Sequence, residues 1–142
     1  MRGLLREQGL EDAVAVDSAG TGDWHVGSPP DERATVAART RGVTLAGAAR
    51  QIRASDFDEY DLILAADRRN LLDLGAVRAG GDGVPRAKLH LLREFDPASA
   101  GGADLDVPDP YYGGDEGFEH VLDLVEAACR GLLDALRADG RL

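Results

Sequence analysis

Short apolar segments alternate with helix-like segments along this chain, and that alternation most narrows the folds open to it. Segments 14–19, 61–66 and 88–92 are apolar and have the length of strands. Helical patterns separate them, and the last pattern, 115–138, repeats apolar residues along one side. Strands joined by helices form parallel sheets through right-handed crossovers. The sequence therefore predicts an α/β fold, a doubly wound, Rossmann-like parallel sheet with flanking helices.

Capping residues place the helices between these strands. Ser28 and the two prolines after it predict the start of a helix that Gly42 ends. Asp67 predicts the start of another helix, which we expect Gly75 to end. A further short helical stretch is expected at 55–60.

The first residues have the pattern of a helix that no strand precedes. Residues 2–8 resemble the tail of a helix whose apolar side includes Leu4 and Leu5. In a doubly wound sheet, a helix that leads into a strand itself follows a strand, and the loop between them is the usual phosphate-binding position. We therefore expect that residues 1–142 begin after such a loop.

Composition excludes several classes of function. The 142 residues carry 26 acidic against 16 basic side chains, a net charge of −10, which disfavours nucleic acid as a partner. No stretch approaches the roughly 18 apolar residues of a spanning helix, and no signal peptide is present, so we expect no membrane partner and a cytoplasmic location. One domain, 1–142, is the natural count for this length.

Cysteine and histidine usage limits the chemistry available. Cys129 is the single cysteine, so there is no internal disulfide and no multi-cysteine metal site. It lies on the apolar side of the last helix, four residues from Val125 and from Leu133, which predicts a buried core thiol rather than a nucleophile. The three histidines lack the spacing of metal ligands, so we expect neither a metal nor a cofactor.

The segment 106–114 carries the most information about function. Asp109 lies between two prolines, which stiffen its backbone and would hold its carboxyl in place for proton transfer. Tyr111 and Tyr112 follow, and their rings could form the wall of a cleft for a flat aromatic substrate. An Asp-Pro turn before a helix is also a common helix entry, so both interpretations stay open at this point.

Six blocks of residues match one family in combination. They are DSAGTGDWHVG at 17–27, PDERA at 30–34, ARQ at 49–51, DF at 56–57, YDLILAAD-x-x-N at 60–70 and DPYYG at 109–113. Together they resemble the low-molecular-weight protein-tyrosine-phosphatase family over nearly the whole chain. The fold that the resemblance implies is a four-stranded parallel sheet.

The resemblance also implies a mechanism and a role for five residues. In this family a cysteine thiolate attacks the phosphorus of phosphotyrosine, and an Asp-Pro aspartic acid protonates the leaving phenol. By resemblance Asp109 is that acid and later the general base for water. Trp24, Tyr111 and Tyr112 line the aromatic cleft, and Ser18 supports the phosphate loop. The implied substrate is a phosphotyrosine protein or a small aryl phosphate.

Two departures from the family pattern affect these expectations. The family often has a histidine where this chain has Gly47, which weakens or rewires the support of the loop. More seriously, the signature Cys-x5-Arg-Ser/Thr loop and the first, central strand have no counterpart in residues 1–142. We therefore expect an N-terminally truncated family member that is inactive as it stands.

The missing strand has a structural consequence. By resemblance it lies between segments 14–19 and 62–66, so its loss would leave a gap of roughly 9 to 10 Å. A parallel sheet cannot leave such a gap wet. We expect the chain alone to be unstable, rearranged, self-associated or dependent on a partner that supplies a strand.

Two alternative functions remain open on the sequence. One is a catalytically dead remnant that binds phosphotyrosine or a protein partner. The other is an arsenate reductase, which shares the fold but needs extra thiols for its redox relay, and this chain has one cysteine.

Overall fold

The computed structural model describes residues 1–99, 101–110 and 114–142. In chain order the elements are α1 (Arg2–Glu7), α2 (Glu32–Thr40), α3 (Asp56–Glu59), β1 (Leu62–Ala65), α4 (Arg68–Ala79), β2 (Lys88–Leu91), a 3₁₀ turn (Leu92–Phe95) and α5 (Asp115–Ala138). The expected helices at 2–8, 55–60 and 115–138 and the strands at 61–66 and 88–92 are confirmed within a few residues.

A parallel pair of strands forms the ordered part of the sheet. β1 pairs with β2 in the register Leu62 to Lys88 through Ala65 to Leu91, and α4 makes the crossover between them. This arrangement confirms the α/β class with a parallel sheet. Within the described residues the sheet has two strands rather than the four that the resemblance implied.

The strand predicted at 14–19 is wrong as a strand. Its residues make no backbone–backbone hydrogen bond within the described part of the chain, and the only pairing nearby is a single parallel bridge between Gly20 and Gln51. A strand is defined by a neighbouring strand, and within the described residues none pairs with this segment. The carbonyl of Val16 instead accepts a hydrogen bond from Nη2 of Arg2 at 2.7 Å. Segment 14–19 therefore has the apolar residues of a strand but no neighbouring strand to pair with among the described residues.

The core forms where α4 covers the two-stranded sheet. Phe57, Ala65, Leu74, Ala87 and Leu91 make up its buried cluster. On the other side α5 packs against the 3₁₀ turn and α2. Gly131 permits that contact, because a Cβ at this position would collide with the carbonyl oxygen of Phe95. No helix in the described ranges has both the length and the apolar character to cross a bilayer.

Two predicted helix boundaries are corrected. α2 begins at Glu32 with Asp31 as its cap, whose Oδ1 accepts from the amide of Ala34 at 3.0 Å, rather than at Ser28. Gly75 does not end α4, which continues to Ala79. A glycine inside a helix costs about 1 kcal/mol, and burial of the adjacent Leu74 in the core outweighs that cost.

Candidate functional site

A groove runs between segment 14–21 and β1. Its cavity volume is about 560 Å³. Apolar side chains such as Val14, Val16, Leu62 and Leu64 form its walls, and α5 forms its floor. It lies at the position where the sequence analysis expected a gap in the sheet.

Cys129 lies in that floor. Its side chain is 6% exposed and the thiol is free, so the predicted core position is confirmed. Leu132, on the next turn of α5, also lines the groove and is similarly buried. The single thiol of the chain therefore contacts the groove from beneath, in apolar surroundings.

An ion-pair network lines another part of the groove. Nε of Arg50 lies 3.0 Å from Oδ2 of Asp17, and its Nη1 lies 3.0 Å from Oδ2 of Asp56. The carboxylate of Asp56 is buried and also accepts from the amide of Arg53 at 2.8 Å. The hydroxyl of Tyr60 donates to Asp17 at 3.3 Å. These contacts join segment 14–21 to the start of α3.

The network fixes the charge of its members. Burial raises the pKa of Asp56, but hydrogen bonds from Arg50 and from the Arg53 amide outweigh burial and hold that pKa below its ordinary value. The Ser18 amide, followed by Arg50 and Tyr60, lowers the pKa of Asp17. Hydrogen bonds to Asp56 and Asp17 in turn raise the pKa of Arg50. All three groups are therefore charged at neutral pH.

The carboxyl end of β1 holds the segment that precedes Asp109. The amide of Val107 donates to the carbonyl of Ala66 at 2.8 Å, and Oδ1 of Asp106 accepts from the amide of Arg68 at 2.9 Å. Asp67 caps the same helix, α4, by accepting from the amide of Asn70 at 2.7 Å. This end of a parallel strand is where α/β proteins build their sites.

Arg93 clamps the loop that leads to this segment. Its Nη1 donates to the carbonyl of Asp106 and its Nη2 to the hydroxyl of Ser99 at 3.0 Å. Its side chain is 12% exposed. The arginine therefore fixes the chain three residues before Asp109.

The structure separates several residues that the sequence grouped in one site. Ser18 lines the groove, whereas Trp24 and Asp109 are not among the groove's lining residues. Trp24 is 77% exposed and its ring stands edge-on to His25, with 6.3 Å between the ring centroids. The ring also lies so close to Gly22 that a Cβ at this position would require the exposed ring to shift. Tyr111 and Tyr112 lie outside the described residues.

Two further expectations from the sequence concern the support of the phosphate loop and the binding of a metal ion. Gly47, which stands where the family often has histidine, has a φ of 100°, a conformation that glycine adopts freely. In the described ranges no group of three histidine, cysteine, aspartate or glutamate side chains could hold a metal ion.

The sequence reasoning missed the Arg50 network. Arg50 and Asp56 both fall in blocks that carried the resemblance, but no role was assigned to either. Asp17 lies 33 residues before Arg50, so nothing in the local pattern links them. The signal that could have found the network is the presence of an arginine and two aspartates within those matching blocks.

Comparison with known proteins decides the family. A model of the family described as low molecular weight phosphotyrosine protein phosphatase matches residues 1–142. The chain belongs to the low-molecular-weight protein-tyrosine-phosphatase family. The match spans all 142 residues, including α5 and its buried thiol.

Relatives within the family align with most of this chain. A low molecular weight protein-tyrosine-phosphatase from Streptomyces coelicolor is 48% identical over 136 residues, which cover 96% of this chain and 81% of the relative. The pig low molecular weight phosphotyrosine protein phosphatase is 39% identical and covers 96% of this chain and 83% of its own length. These relatives are therefore longer than the part this chain matches.

Solved structures in the family share its fold. The crystal structure of YfkJ from Bacillus subtilis is 35% identical with a TM-score of 0.81, over 97% of this chain and 82% of its own. A Drosophila protein described as an arginine phosphatase is 30% identical with a TM-score of 0.86, over 94% of this chain and 83% of its own. The α/β family fold therefore persists around the groove.

Proposed function

We propose that this chain supplies the general acid and the aromatic-recognition residues of a protein-tyrosine-phosphatase site, with phosphotyrosine proteins or small aryl phosphates as substrates. Asp109 is the acid, Trp24, Tyr111 and Tyr112 recognise the ring, and Ser18 supports the phosphate loop. The observation that carries the proposal is the anchoring of segment 106–109 at the carboxyl end of β1 through Val107 and Ala66.

The chemistry divides into two steps. A cysteine thiolate forms a bond to phosphorus while the phosphorus–oxygen bond to the phenol breaks, and Asp109 gives its proton to the departing oxygen. Asp109 then takes a proton from water, whose oxygen attacks phosphorus and releases the cysteine as thiolate with inorganic phosphate. Proton transfer of this kind contributes about 10²- to 10⁴-fold to the rate.

The surroundings of Asp109 in the chain support this role through its backbone rather than through a deep pocket. Its side chain is exposed, so a substrate can reach it. Pro108 and Pro110 flank it, and the Arg93 and Ala66 contacts hold the chain immediately before it. A proton donor on a restrained backbone loses little entropy when it meets its substrate.

Residues 1–142 do not contain the nucleophile of this mechanism. Cys129 is buried in α5, and Ala135 stands where a Cys-x5-Arg loop would have its arginine. A thiol that is only 6% exposed inside α5 cannot reach the phosphorus of a phosphate ester. We infer that these residues hydrolyse nothing by themselves and need the family's strand and cysteine loop. We also propose a cytoplasmic location for the protein.

The test joins residues 1–142 to a strand and a cysteine loop. We define the fused chain as residues 1–142 preceded by the strand and Cys-x5-Arg-Ser/Thr segment that the family resemblance implies, taken from the Streptomyces coelicolor relative. Hydrolysis of 4-nitrophenyl phosphate and of a phosphotyrosine peptide is measured for both chains. A phosphoarginine peptide is compared because one structural relative is described as an arginine phosphatase.

We expect turnover from the fused chain and none from residues 1–142. Asp109→Asn in the fused chain reduces turnover by about 10²- to 10⁴-fold. Asp82→Asn, the same substitution in the exposed 80–83 loop, leaves turnover unchanged. A folded fused chain that binds a phosphotyrosine peptide without hydrolysing it would overturn the proposal in favour of a binding remnant.

A further inference from the structure

The loop that carries Asp109 has no regular structure of its own to hold it. The 3₁₀ turn ends at Phe95, and the described residues between 96 and 109 form neither a helix nor a strand. A loop of this length takes a fixed position only through its contacts with the rest of the fold. The position of the Asp109 carboxyl therefore depends on the contacts that anchor this loop.

One guanidinium group anchors the loop at two points. Nη2 of Arg93 donates to Oγ of Ser99, near the start of the loop, at 3.0 Å. Nη1 of Arg93 donates to the carbonyl of Asp106, three residues before Asp109. Because a guanidinium is planar and rigid, its donors keep a fixed geometry. Arg93 therefore holds the start and the end of the loop at a fixed separation.

Arg93 belongs to an element that is itself firmly packed. It lies in the 3₁₀ turn, Leu92–Phe95, which packs against α5. Its side chain is only 12% exposed, so few other conformations are open to it. A group held by packing positions its partners more precisely than a group on a mobile surface side chain. Arg93 therefore fixes the loop relative to α5.

The buried carboxylate of Asp96 orients the Ser99 hydroxyl toward Arg93. Asp96 is 3% exposed, and its Oδ2 accepts from the Ser99 hydroxyl at 2.7 Å. Its Oδ1 accepts from the amide of Ala98 at 3.0 Å. A serine hydroxyl has one proton, so a hydroxyl that donates to Asp96 offers Arg93 only its lone pairs. Ser99 is therefore fixed as an acceptor for Arg93.

The chain is also held on the far side of Asp109. Pro110 lies against α5, since a Cβ at Gly117 would be 3.7 Å from the Cβ of Pro110. On the near side, the amide of Val107 donates to the carbonyl of Ala66 at 2.8 Å. Asp109 therefore lies on a short segment with anchors before and after it, and loss of the Arg93 contact would let that segment shift.

Arg93 keeps this position at a cost in stability. Its Nε is buried and has no hydrogen-bond partner in the part of the chain that the structure describes. A buried N–H group without an acceptor is unfavourable, above all on a charged side chain. Departures from good packing of this kind are expected at functional sites. The unpaired Nε therefore favours a role for Arg93 in function over a role in stability alone.

We propose that Arg93 is a positioning residue for proton transfer by Asp109, and that it acts by holding Ser99 and the Asp106 carbonyl on one guanidinium group. This inference rests on the proposed role of Asp109 as the general acid. Arg93 acts through the backbone and does not touch the substrate. A misplacement of about 1 Å at a reacting group can cost about 10²-fold in rate, so release of the loop slows proton transfer.

The experiment measures kcat/KM of the fused chain for phenyl phosphate and for 4-nitrophenyl phosphate. Arg93→Met keeps the apolar stem and removes every donor. We expect it to lower the value for phenyl phosphate, whose leaving group needs the proton, by about 10- to 100-fold, and the value for 4-nitrophenyl phosphate by at most about threefold. Arg69→Gln is the control, because the pair of Arg69 with Asp73 is largely exposed, and it should leave both values unchanged.

A second pair of variants tests the other end of the clamp. Ser99→Ala removes the acceptor of Nη2 and should lower kcat/KM for phenyl phosphate by about three- to tenfold. Ser99→Thr keeps a hydroxyl and should retain most of the activity. Urea unfolding of each variant checks that it is folded, and Ser99→Ala gives the answer if Arg93→Met does not fold.

A combined variant separates positioning from a structural role. If Arg93 acts through Asp109, Arg93→Met should lower kcat/KM by less than about twofold when Asp109 is already replaced by asparagine. Equal losses on both substrates, or a full loss in the Asp109→Asn chain, would overturn the proposal while leaving Asp109 as the acid. If Asp109→Asn itself leaves turnover unchanged, the proposed function fails and this inference fails with it.

Discussion

Arg50 and the buried carboxylate of Asp56 form a two-bond ion pair, with Nη1 to Oδ2 at 3.0 Å and Nη2 to Oδ1 at 3.3 Å. The same guanidinium reaches Asp17 through Nε, so one side chain ties segment 14–21 to α3. Planar guanidinium groups suit such paired contacts, and lysine could not make them all. Arg50 therefore holds one wall of the groove in place.

Arg50→Gln should destabilise the fused chain by about 3 kcal/mol, because it leaves the Asp56 carboxylate buried without its counter-charge. The measurement is the free energy of unfolding in urea. Arg69→Gln is the matched control. Its pair with Asp73 is largely exposed, so the change should lie within about 0.5 kcal/mol. An equal loss of unfolding free energy in the two variants would contradict a structural role for Arg50.

Acid should weaken the fold through the same network. Asp17 and Asp56 have pKa values lowered in the folded chain, so their stabilisation is present above their unfolded pKa, about 3.9, and is lost as pH falls through the lower folded values. Urea unfolding of the fused chain between pH 7 and pH 3 measures this. The loss below about pH 4 should be smaller in Arg50→Gln. An identical acid profile for both chains would contradict the account.

Two glycines inside helices should respond in opposite directions to alanine. Gly131→Ala places a Cβ against the carbonyl of Phe95, so we expect a loss of about 1 to 3 kcal/mol in unfolding free energy. Gly75→Ala meets no neighbour within contact distance and should stabilise α4 by about 0.5 to 1 kcal/mol. Chemical denaturation of the fused chain gives both values. The packing of α5 on the 3₁₀ turn would be in error if Gly131→Ala were neutral.

Trp24 should affect substrate binding without affecting stability. Its side chain is 77% exposed, so Trp24→Ala removes little buried area. In the fused chain we expect KM for a phosphotyrosine peptide to rise by up to about tenfold, the value of one aromatic contact, with kcat within about twofold. Trp24→Phe should retain most of the affinity. An unchanged KM in Trp24→Ala would show that Trp24 does not contact the substrate.

Local features of the fold could be predicted from the sequence. Asp67 was correctly identified as the cap of α4, because the cap and the amide it accepts from are three residues apart. The apolar side of 115–138 likewise predicted α5 and the burial of Cys129. The start of α2 was misplaced because Asp31 and Ser28 are both good caps.

Features that depend on distant residues could not be predicted. Segment 14–19 has the composition of a strand, but pairing needs a neighbouring strand, and the described residues place none beside it. Gly75 stays helical because Leu74 packs into a core built by β1 and β2. The Arg50 network joins residues far apart in the chain, and only folding brings them together.

The role of Asp109 is tested most directly by its dependence on the leaving group. In the fused chain, kcat/KM is measured for phenyl phosphate and for 4-nitrophenyl phosphate, with Asp109→Asn and the control Asp82→Asn. A general acid matters most when the leaving phenolate is basic, so Asp109→Asn should impair phenyl phosphate hydrolysis at least tenfold more than 4-nitrophenyl phosphate hydrolysis. Equal losses on both substrates, or a loss no larger than that of Asp82→Asn, would contradict the assignment.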